Sequence, residues 1–276
     1  MLRSLLFVPA DRPERFAKAV ASEADALILD LEDSVAPAAK QAGRDAIAAF
    51  LPEPRSAKVF VRVNPLESGL TKADLAAVLP GLPDGIVLPK AEGAPSVAAL
   101  LALMGEARVP ILPIASETPA AVFELGNYHL CREALLGLTW GAEDLPAAIG
   151  ASSSREADGR YTPPYEMVRS LTLFAAHRAG VPAIETVFPD IRNAEGLEAY
   201  VHRARRDGYT AMMAIHPAQV KTINAGFTPT EAELAYAREV VALFDADPTL
   251  GVVQLRGKML DRPHLKLAQA MLARST

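Results

Sequence analysis

The stretch ALILDLEDSVAPAAKQAGRDAIAAFL, residues 26–51, contains the repeating element of the fold. Residues 26–32 form an apolar run that ends in acids, a pattern typical of a strand buried on both faces. Residues 37–51 are amphipathic and rich in alanine, and they predict a helix packed on a sheet. Because the helices that connect parallel strands cover both faces of the sheet, this stretch indicates a parallel α/β fold.

The same strand–helix unit recurs along residues 1–226. Eight apolar runs predict strands: 4–10, 26–32, 58–64, 85–90, 109–117, 135–141, 182–188 and 211–217. The segments that follow them predict helices: 13–23, 37–51, 71–79, 95–107, 118–126, 162–180, 194–208 and 218–226. Eight such units predict a closed (β/α)8 TIM barrel. An open doubly wound sheet is the alternative, but no G-x-G-x-x-G motif follows the first strand to favour it.

The pattern changes after residue 226. We therefore assign residues 1–226 to the barrel and residues 227–276 to a C-terminal helical extension. Residues 228–247 predict a long helix that begins with a T-x-x-E capping box at Thr230 and Glu233. A last helix is predicted over residues 263–273.

Composition excludes several classes of protein. The chain has 276 residues and a net charge of −5, and no basic face indicates nucleic acid as a partner. Cys131 is the single cysteine, so no internal disulfide can form. The apolar run at the N-terminus is too short for a signal peptide, and no run reaches the roughly 18 apolar residues of a membrane span. We expect a soluble, cytoplasmic protein.

Polar residues stand at the carboxyl end of almost every predicted strand. They are Asp30, Glu32, Asp33, Arg62, Asn64, Lys90, Glu92, Ser116, Glu117, Glu143, Asp144, Glu185, Thr186 and His216. The active site of a (β/α)8 barrel lies at this end. Acids within an apolar strand pattern need a counter-charge, because burying an unpaired charge is costly.

Arg62 and Lys90 are two such counter-charges, and a hard divalent cation is a third. The sequence contains no His-rich or Cys-rich ligand set, which argues against zinc. The pattern therefore predicts a Mg²⁺-type site of oxygen ligands with an arginine beside it, suited to an anionic substrate.

Motifs along nearly the whole chain resemble those of the citrate lyase β subunit-like proteins. In order, these are RSLLFVPA, DALILDLEDSVAPAAK, VFVRVNP, IVLPKAE, SETPAAV, LTWGAEDL, AIHPAQV and RGKMLDRPH. These proteins belong to the HpcH/HpaI aldolase and citrate lyase group of Mg²⁺-dependent barrel aldolases and acyl-CoA lyases. The resemblance therefore implies a barrel that uses Mg²⁺ and acts on a coenzyme A thioester and a 2-oxo acid.

By this resemblance, Glu117 in SETP and Asp144 in WGAED are the two metal-binding carboxylates. Arg62 in VRVNP holds the carboxylate of the oxo acid and stabilises charge on its carbonyl oxygen. Glu32 and Asp33 in DLEDSV orient the arginine and the waters of the metal. Ordinary alternatives are a helix cap for Glu117, a turn acid for Asp144 and a structural ion pair for Arg62. Glu32 and Asp33 can equally be solvated loop acids.

Three further residues match functional positions of the family. Arg12 and Lys18 fall where relatives contact the phosphates of coenzyme A, although they can also belong to a charged helix face. Asp261 in GKMLD matches an acid that covers the site of a neighbouring subunit and exchanges a proton with the acetyl group, although it can also cap the last helix. The resemblance thus implies a homo-oligomer, either a trimer or a dimer of trimers.

The implied activity is carbon–carbon cleavage of a 3-hydroxyacyl-CoA. Citramalyl-CoA, malyl-CoA or citryl-CoA would give acetyl-CoA and pyruvate, glyoxylate or oxaloacetate. One alternative is a true citrate lyase β subunit, which acts on a citryl thioester carried by an acyl-carrier protein. The others are an aldolase for free oxo acids and a catalytically silent barrel that binds an oxo acid.

Overall fold

The computed structural model of the protein describes residues 2–247 and 249–274. Residues 1, 248, 275 and 276 of the predicted domains lie outside this description. Eight strands form one parallel sheet in the order β5-β4-β3-β2-β1-β8-β7-β6. They are β1 Ser4–Pro9, β2 Ala26–Asp30, β3 Lys58–Arg62, β4 Gly85–Leu88, β5 Ile111–Pro113, β6 Leu138–Thr139, β7 Ala183–Glu185 and β8 Ala211–Ala214.

The two outer strands of this order, β5 and β6, meet and close the barrel. Parallel bridges join Ile111 to Leu135 and Ile114 to Thr139. The N–H of Ala115 donates to the carbonyl oxygen of Thr139 over 2.9 Å. The predicted (β/α)8 fold class is therefore confirmed, and the open doubly wound sheet is excluded.

Helices connect the strands of the barrel. They are α1 Phe16–Val20, α2 Lys40–Phe50, α3 Thr71–Val78, α4 Gly93–Met104, α5 Pro119–Glu124, α6 Asp144–Ile149, α7 Pro163–Ala179, α8 Ala194–Asp207 and, after β8, α9 Pro217–Phe227. Thr118 caps α5, since its side chain accepts a hydrogen bond from the N–H of Ala121. Among the described residues, none of the helices combines the length and the apolar character that crossing a membrane requires.

Alternate strand positions point into the barrel and fill it with apolar side chains. This buried cluster consists of Leu5, Ala26, Ile28, Phe60, Val87, Leu112, Ile114, Ile184, Ala211 and Met213. The alternation has a consequence for the last residues of two strands. Asp30 follows Ala26 and Ile28 on the inner face of β2, and Arg62 follows Phe60 on the inner face of β3.

The predicted strands extend past the observed ones at the carboxyl end, and some of them also begin earlier. The predicted strand over residues 109–117 is observed as Ile111–Pro113, and the one over residues 135–141 as Leu138–Thr139. The chain leaves the sheet at these points to form the loops that carry the polar residues. The sequence interpretation also missed the 3-10 segment Leu125–Ala134 and helix α6, which begins at Asp144.

The chain divides into two compact units, of which the first is Leu2–Asn224 and the second begins at Ala225. The second unit contains α10 Glu231–Ala246, β9 Val252–Leu255, β10 Lys258–Asp261 and α11 Arg262–Arg274. The predicted capping box at Thr230 and Glu233 is confirmed. β9 and β10 form an antiparallel hairpin, whose two-residue turn has positive φ at Arg256 and Gly257.

A buried ion pair links two helices of the first unit. Asp74 on α3 is fully buried and accepts a 2.8 Å hydrogen bond from Nε of Arg44 on α2. The same carboxylate accepts the backbone and side-chain N–H groups of Asn64, over 2.8 and 2.7 Å. This one carboxylate therefore fixes α2, α3 and the end of β3 against each other.

Asp74→Ala should lower the free energy of unfolding by about 3–5 kcal/mol, because it leaves the buried guanidinium of Arg44 unpaired. Urea denaturation followed by circular dichroism measures this loss. Asp45→Asn is the control on α2, the helix that carries Arg44, since Asp45 is exposed and its substitution should cost less than about 0.5 kcal/mol. Equal losses in the two variants would contradict this account of the buried pair.

Candidate active site

A cavity of about 370 Å³ opens at the carboxyl ends of the strands of the barrel. Its apolar wall includes Phe7, Pro9, Ile114, Val187, Met213 and Ile215. Its charged residues are Arg15, Asp30, Asp33, Arg62, Glu117, Glu143 and Asp144. Acids thus outnumber the two arginines, in the place where (β/α)8 enzymes carry their active sites.

Arg62 and Asp30 form a bidentate ion pair at one side of the cavity. The register of β2 and β3 places the two residues side by side, both at the last position of their strands. Nε and Nη2 of Arg62 each donate to an oxygen of Asp30 over 2.7 Å, and Nη1 lies 2.8 Å from Glu32. Burial alone would raise the pKa of Asp30, but the hydrogen bonds and charge of Arg62 outweigh it and lower the pKa. Asp30 therefore stays ionised and holds the guanidinium in place.

Lys90 connects this pair to the other carboxylates. Its Nζ lies 2.5 Å from Glu32, 3.5 Å from Asp144 and 3.8 Å from Asp33. Burial would lower the pKa of Lys90, but the hydrogen bond and charge of Glu32 and the charges of Glu117 and Asp144 raise it. The ammonium group is thus a fixed positive charge among the acids.

The backbone of Lys90 also belongs to the site. Its φ of +50° is unusual for a residue other than glycine and is typical of strained functional loops. In this conformation its N–H donates to Oε2 of Glu117 over 2.6 Å. Lys90 therefore holds Glu117 through its main chain and Asp144 through its side chain.

Glu117 is almost fully buried in the loop between β5 and α5. Burial raises its pKa to about 8; the N–H of Lys90 opposes this change, and the charges of Asp144 and Glu32 add to it. Gly141 packs so closely against Glu117 that a Cβ atom there would lie 2.8 Å from the Cγ of Glu117. The N–H of Gly141 in turn donates to Oγ of Ser116 over 3.2 Å. The turn of residues 141–144 is therefore packed directly on the loop that carries Glu117.

Burial and the charges of Asp144 and Glu32 raise the pKa of Glu117, so a cation bound beside this carboxylate would stabilise its ionised form. Among residues 2–247 and 249–274, no group of three or more His, Cys, Asp and Glu side chains is gathered around a common point that could hold a metal. A metal between Glu117 and Asp144 would thus have two protein ligands and complete its shell with water and substrate oxygens. This is the ligand set that Mg²⁺ prefers, so the residues fit Mg²⁺.

The structure brings four of the predicted site residues together and leaves others apart. Arg62, Glu32, Glu117 and Asp144 form one charged network around Lys90. Because Thr118 caps α5, the alternative of a helix cap does not account for the burial of Glu117. Asp33 lies at the edge of this network, 3.8 Å from Nζ of Lys90, and its side chain is 61% exposed. Arg12 and Lys18 do not line the cavity, and Asp261 belongs to the second unit.

Sequence reasoning missed three contributors. The sequence places Asp30 only at a strand end and Lys90 only as a counter-charge to the acids, without a site role for either, and it does not point to Arg15, which lines the cavity. For Asp30 a signal existed, because it continues the inward alternation of Ala26 and Ile28. For Lys90 the decisive feature is its backbone conformation, which no sequence pattern specifies for this residue type.

Comparisons with known proteins agree with this geometry. The family description HpcH/HpaI aldolase/citrate lyase matches residues 3–217. The chain belongs to this family. A citrate lyase subunit beta-like protein of Mycobacterium tuberculosis H37Rv is 38% identical over 98% of this chain and 94% of its own length. The mitochondrial citramalyl-CoA lyase of Mus musculus is 30% identical over 99% of this chain and 86% of its own.

A solved structure shares both fold and sequence with the chain. It is the crystal structure of CitE from Mycobacterium tuberculosis in complex with magnesium, acetoacetate and coenzyme A. The two superpose with a TM-score of 0.84 at 38% identity, over 99% of this chain and 97% of the other. At this identity the likeness extends beyond the barrel fold to the family.

The pKa of Glu117 has a measurable effect on stability when no metal is bound. The native carboxyl has a pKa of about 8, against an ordinary value of 4.5, so between these values the native state binds more protons than the unfolded state. Stability in EDTA should therefore fall as the pH rises from about 5 to 8. Glu117→Gln should remove this part of the pH dependence, as measured by the melting temperature.

Glu143→Gln is the matched control, because Glu143 is the exposed neighbour of Asp144. Its melting temperature should follow the wild type across the pH range. Parallel curves for the wild type and Glu117→Gln would show that Glu117 titrates at an ordinary pKa.

Proposed function

We propose that the protein is a Mg²⁺-dependent carbon–carbon lyase that cleaves a 3-hydroxyacyl-CoA into acetyl-CoA and a 2-oxo acid. The observation that carries the proposal is a single cavity lined by the carboxylates of Glu117 and Asp144 and by the guanidinium of Arg62. The name citramalyl-CoA lyase, carried by the mouse relative, supports the reaction class. The magnesium, acetoacetate and coenzyme A of the M. tuberculosis CitE structure support the classes of cofactor and substrate.

Glu117 and Asp144 are the residues that would hold the metal. Lys90 keeps them close together, with its N–H 2.6 Å from Glu117 and its Nζ 3.5 Å from Asp144. When bound, Mg²⁺ would polarise the hydroxyl and carboxylate oxygens of the substrate and lower the pKa of the hydroxyl.

Arg62 would bind the carboxylate of the oxo acid and stabilise the oxygen on which charge changes during cleavage. Its guanidinium cannot rotate freely, because Asp30 contacts Nε and Nη2 and Glu32 contacts Nη1. Phe7 lies against the group, with its ring centroid 4.9 Å from Cζ. An arginine fixed in this way is suited to recognise a planar carboxylate.

Cleavage begins when a base in the cavity removes the proton of the substrate's hydroxyl group, whose oxygen becomes the carbonyl oxygen of the 2-oxo acid. The carbon–carbon bond then breaks, and its electron pair passes to the α-carbon of the acetyl thioester. We assign the proton that this carbon takes up to Asp261 of a neighbouring subunit, as the family resemblance implies. The 2.5 Å contact with His264 lowers the pKa of Asp261, so the carboxyl group is ionised, which is the form that accepts the proton in the condensation direction; in the cleavage direction it must first take up a proton.

The segment after β1 is the proposed contact for the phosphates of coenzyme A. It carries Arg12 and Lys18, both exposed, and Arg15, which lies at the edge of the cavity. Three cations within seven residues next to the cavity provide the charge that a diphosphate and a 3′-phosphate require.

The proposal predicts which thioesters the protein cleaves and what this cleavage needs. With Mg²⁺, purified protein should release a 2-oxo acid from one of citramalyl-CoA, malyl-CoA or citryl-CoA, and EDTA should abolish the release. Glu117→Gln and Asp144→Asn should each lower kcat/KM at least 100-fold, whereas Glu143→Gln should stay within about threefold of the wild type. A coupled dehydrogenase assay that detects the released oxo acid measures cleavage by the wild type, with and without EDTA, and by each variant.

Equal cleavage with and without EDTA would contradict the metal-dependent mechanism. Mg²⁺-dependent binding of an oxo acid without any cleavage would instead favour one of two alternatives. These are a citrate lyase β subunit that requires an acyl-carrier protein and a silent barrel that only binds an oxo acid.

The assignment of Asp261 to a neighbouring subunit predicts complementation between inactive chains. We propose a homotrimer or a dimer of trimers in which each site takes Glu117 from one subunit and Asp261 from a neighbour. Since every site needs both residues, Glu117→Gln and Asp261→Asn should each be inactive alone. An equimolar mixture that reassembles at random should regain about one quarter of wild-type activity, because about one site in four then combines two intact contributions. Light scattering that shows only monomers, or mixtures without activity, would contradict the shared site.

A further inference from the structure

Glu185, the last residue of β7, is a fully buried acid that does not line the cavity. Its neighbour Ile184 points into the barrel, so Glu185 points outward, towards the helices. There it contacts Arg169 on α7 and Tyr200 on α8. An ionised carboxylate is costly at such a position unless its oxygens are fully hydrogen-bonded. The proposed chemistry leaves this residue without a role.

Oε1 of Glu185 accepts three hydrogen bonds that join separate parts of the site. Nε1 of Trp140 donates over 2.5 Å, the hydroxyl of Tyr200 over 2.9 Å and the N–H of Thr186 over 3.0 Å. Trp140 directly precedes the turn of residues 141–144, and Thr186 lines the same cavity. One oxygen atom therefore connects the loops that follow β6 and β7.

The second oxygen of Glu185 anchors the carboxylate. Oε2 accepts a 2.7 Å hydrogen bond from Nε of Arg169, and Nη1 of Arg169 lies 2.7 Å from Asp207. The guanidinium also packs on the ring of Tyr209, with its Cζ 4.9 Å from the centroid. Since both oxygens are engaged, the carboxylate cannot rotate away from Trp140.

Trp140 needs this hydrogen bond to adopt a single orientation. Its indole is fully buried and packs edge-on against Tyr161, with 5.0 Å between ring centroids. Apolar packing alone does not fix the direction of the indole N–H, whereas an acceptor does. The orientation of Trp140 fixes the start of the turn, where Gly141 packs on Glu117 and donates to Ser116.

We propose that Glu185 is a positioning residue, which clamps Trp140 so that the turn of residues 141–144 presents Asp144 to the cavity. The expected effect of Glu185 on metal binding rests on the proposed function, because Asp144 is a metal ligand only in that proposal. Its effect on the turn itself does not depend on that function. The two parts of the proposal can therefore be tested separately.

The first test measures hydrogen exchange of the peptide that spans residues 140–145. Glu185→Gln supplies one acceptor oxygen where the network needs two, so exchange in this peptide should become at least fivefold faster. Trp140→Phe removes the donor and should have the same effect. Tyr200→Phe leaves the carboxylate in place and should give a smaller increase in the exchange rate. It replaces Glu185→Gln in this test if that variant does not fold.

Asp25→Asn is the matched control at the amino end of the barrel. Asp25 precedes β2 and accepts three hydrogen bonds from Arg3, over 2.7, 2.9 and 2.8 Å, so its loss also breaks an acid–arginine pair. It should lower the melting temperature without changing exchange over residues 140–145. If Glu185→Gln lowers the melting temperature but leaves this exchange unchanged, Glu185 is only structural and the proposal is wrong.

The second test measures Mg²⁺ binding by calorimetry, with the metal alone as the probe. Glu185→Gln and Trp140→Phe should each raise Kd at least fivefold, and the double variant should stay within twofold of the weaker single variant. Additive losses would show that Glu185 does not act through Trp140 and would overturn the proposal. Wild-type protein that binds no Mg²⁺ would contradict the proposed function, and the exchange result would then decide the positioning role alone.

The single tryptophan of the chain gives a further signature. Because Trp140 is buried and hydrogen-bonded to a carboxylate, its emission maximum should shift in Glu185→Gln and stay unchanged in Asp25→Asn. An unshifted spectrum together with unchanged exchange would contradict the clamp.

Discussion

The ion pair between Arg62 and Asp30 is the contact on which the charge arrangement of the cavity depends. The parallel register of β2 and β3 places the two residues side by side on the inner face of the barrel, at the last position before each loop. Asp30 holds two guanidinium nitrogens and Glu32 a third, so Arg62 has one orientation. This arrangement fixes a planar cation at the wall of a cavity that is otherwise acidic.

Successive contacts link the other charged residues of the cavity to this pair. Glu32 bridges Arg62 to Lys90, and Lys90 reaches Asp144 with its side chain and Glu117 with its N–H. The network still contains more acids than cations, and burial together with the charges of Asp144 and Glu32 raises the pKa of Glu117 to about 8. A divalent cation between Glu117 and Asp144 would relieve the imbalance, and for this reason we interpret the cavity as the centre of a Mg²⁺-dependent lyase.

The sequence was sufficient for the fold class, because eight apolar runs alternate with amphipathic segments, and for the position of the polar residues at strand ends. It was insufficient for the loops, where strands end earlier than the apolar runs suggest and α6 begins at Asp144. The positive φ of Lys90 and the contacts of Glu185 could not be predicted either. The N–H of Lys90 meets Glu117, and Glu185 meets Trp140 and Arg169, and only the closed barrel brings these residues together.

The most direct test of the central claim is anomalous diffraction from crystals soaked with Mn²⁺, which takes the same oxygen ligands as Mg²⁺. The account predicts one strong peak in the cavity, at about 2.1 Å from a carboxylate oxygen of Glu117 and of Asp144. Lys90 should keep its contacts with Glu117 and Asp144, because it already holds these two acids in place. Crystals with no peak in the cavity, or with the metal bound only to other acids, would contradict the account.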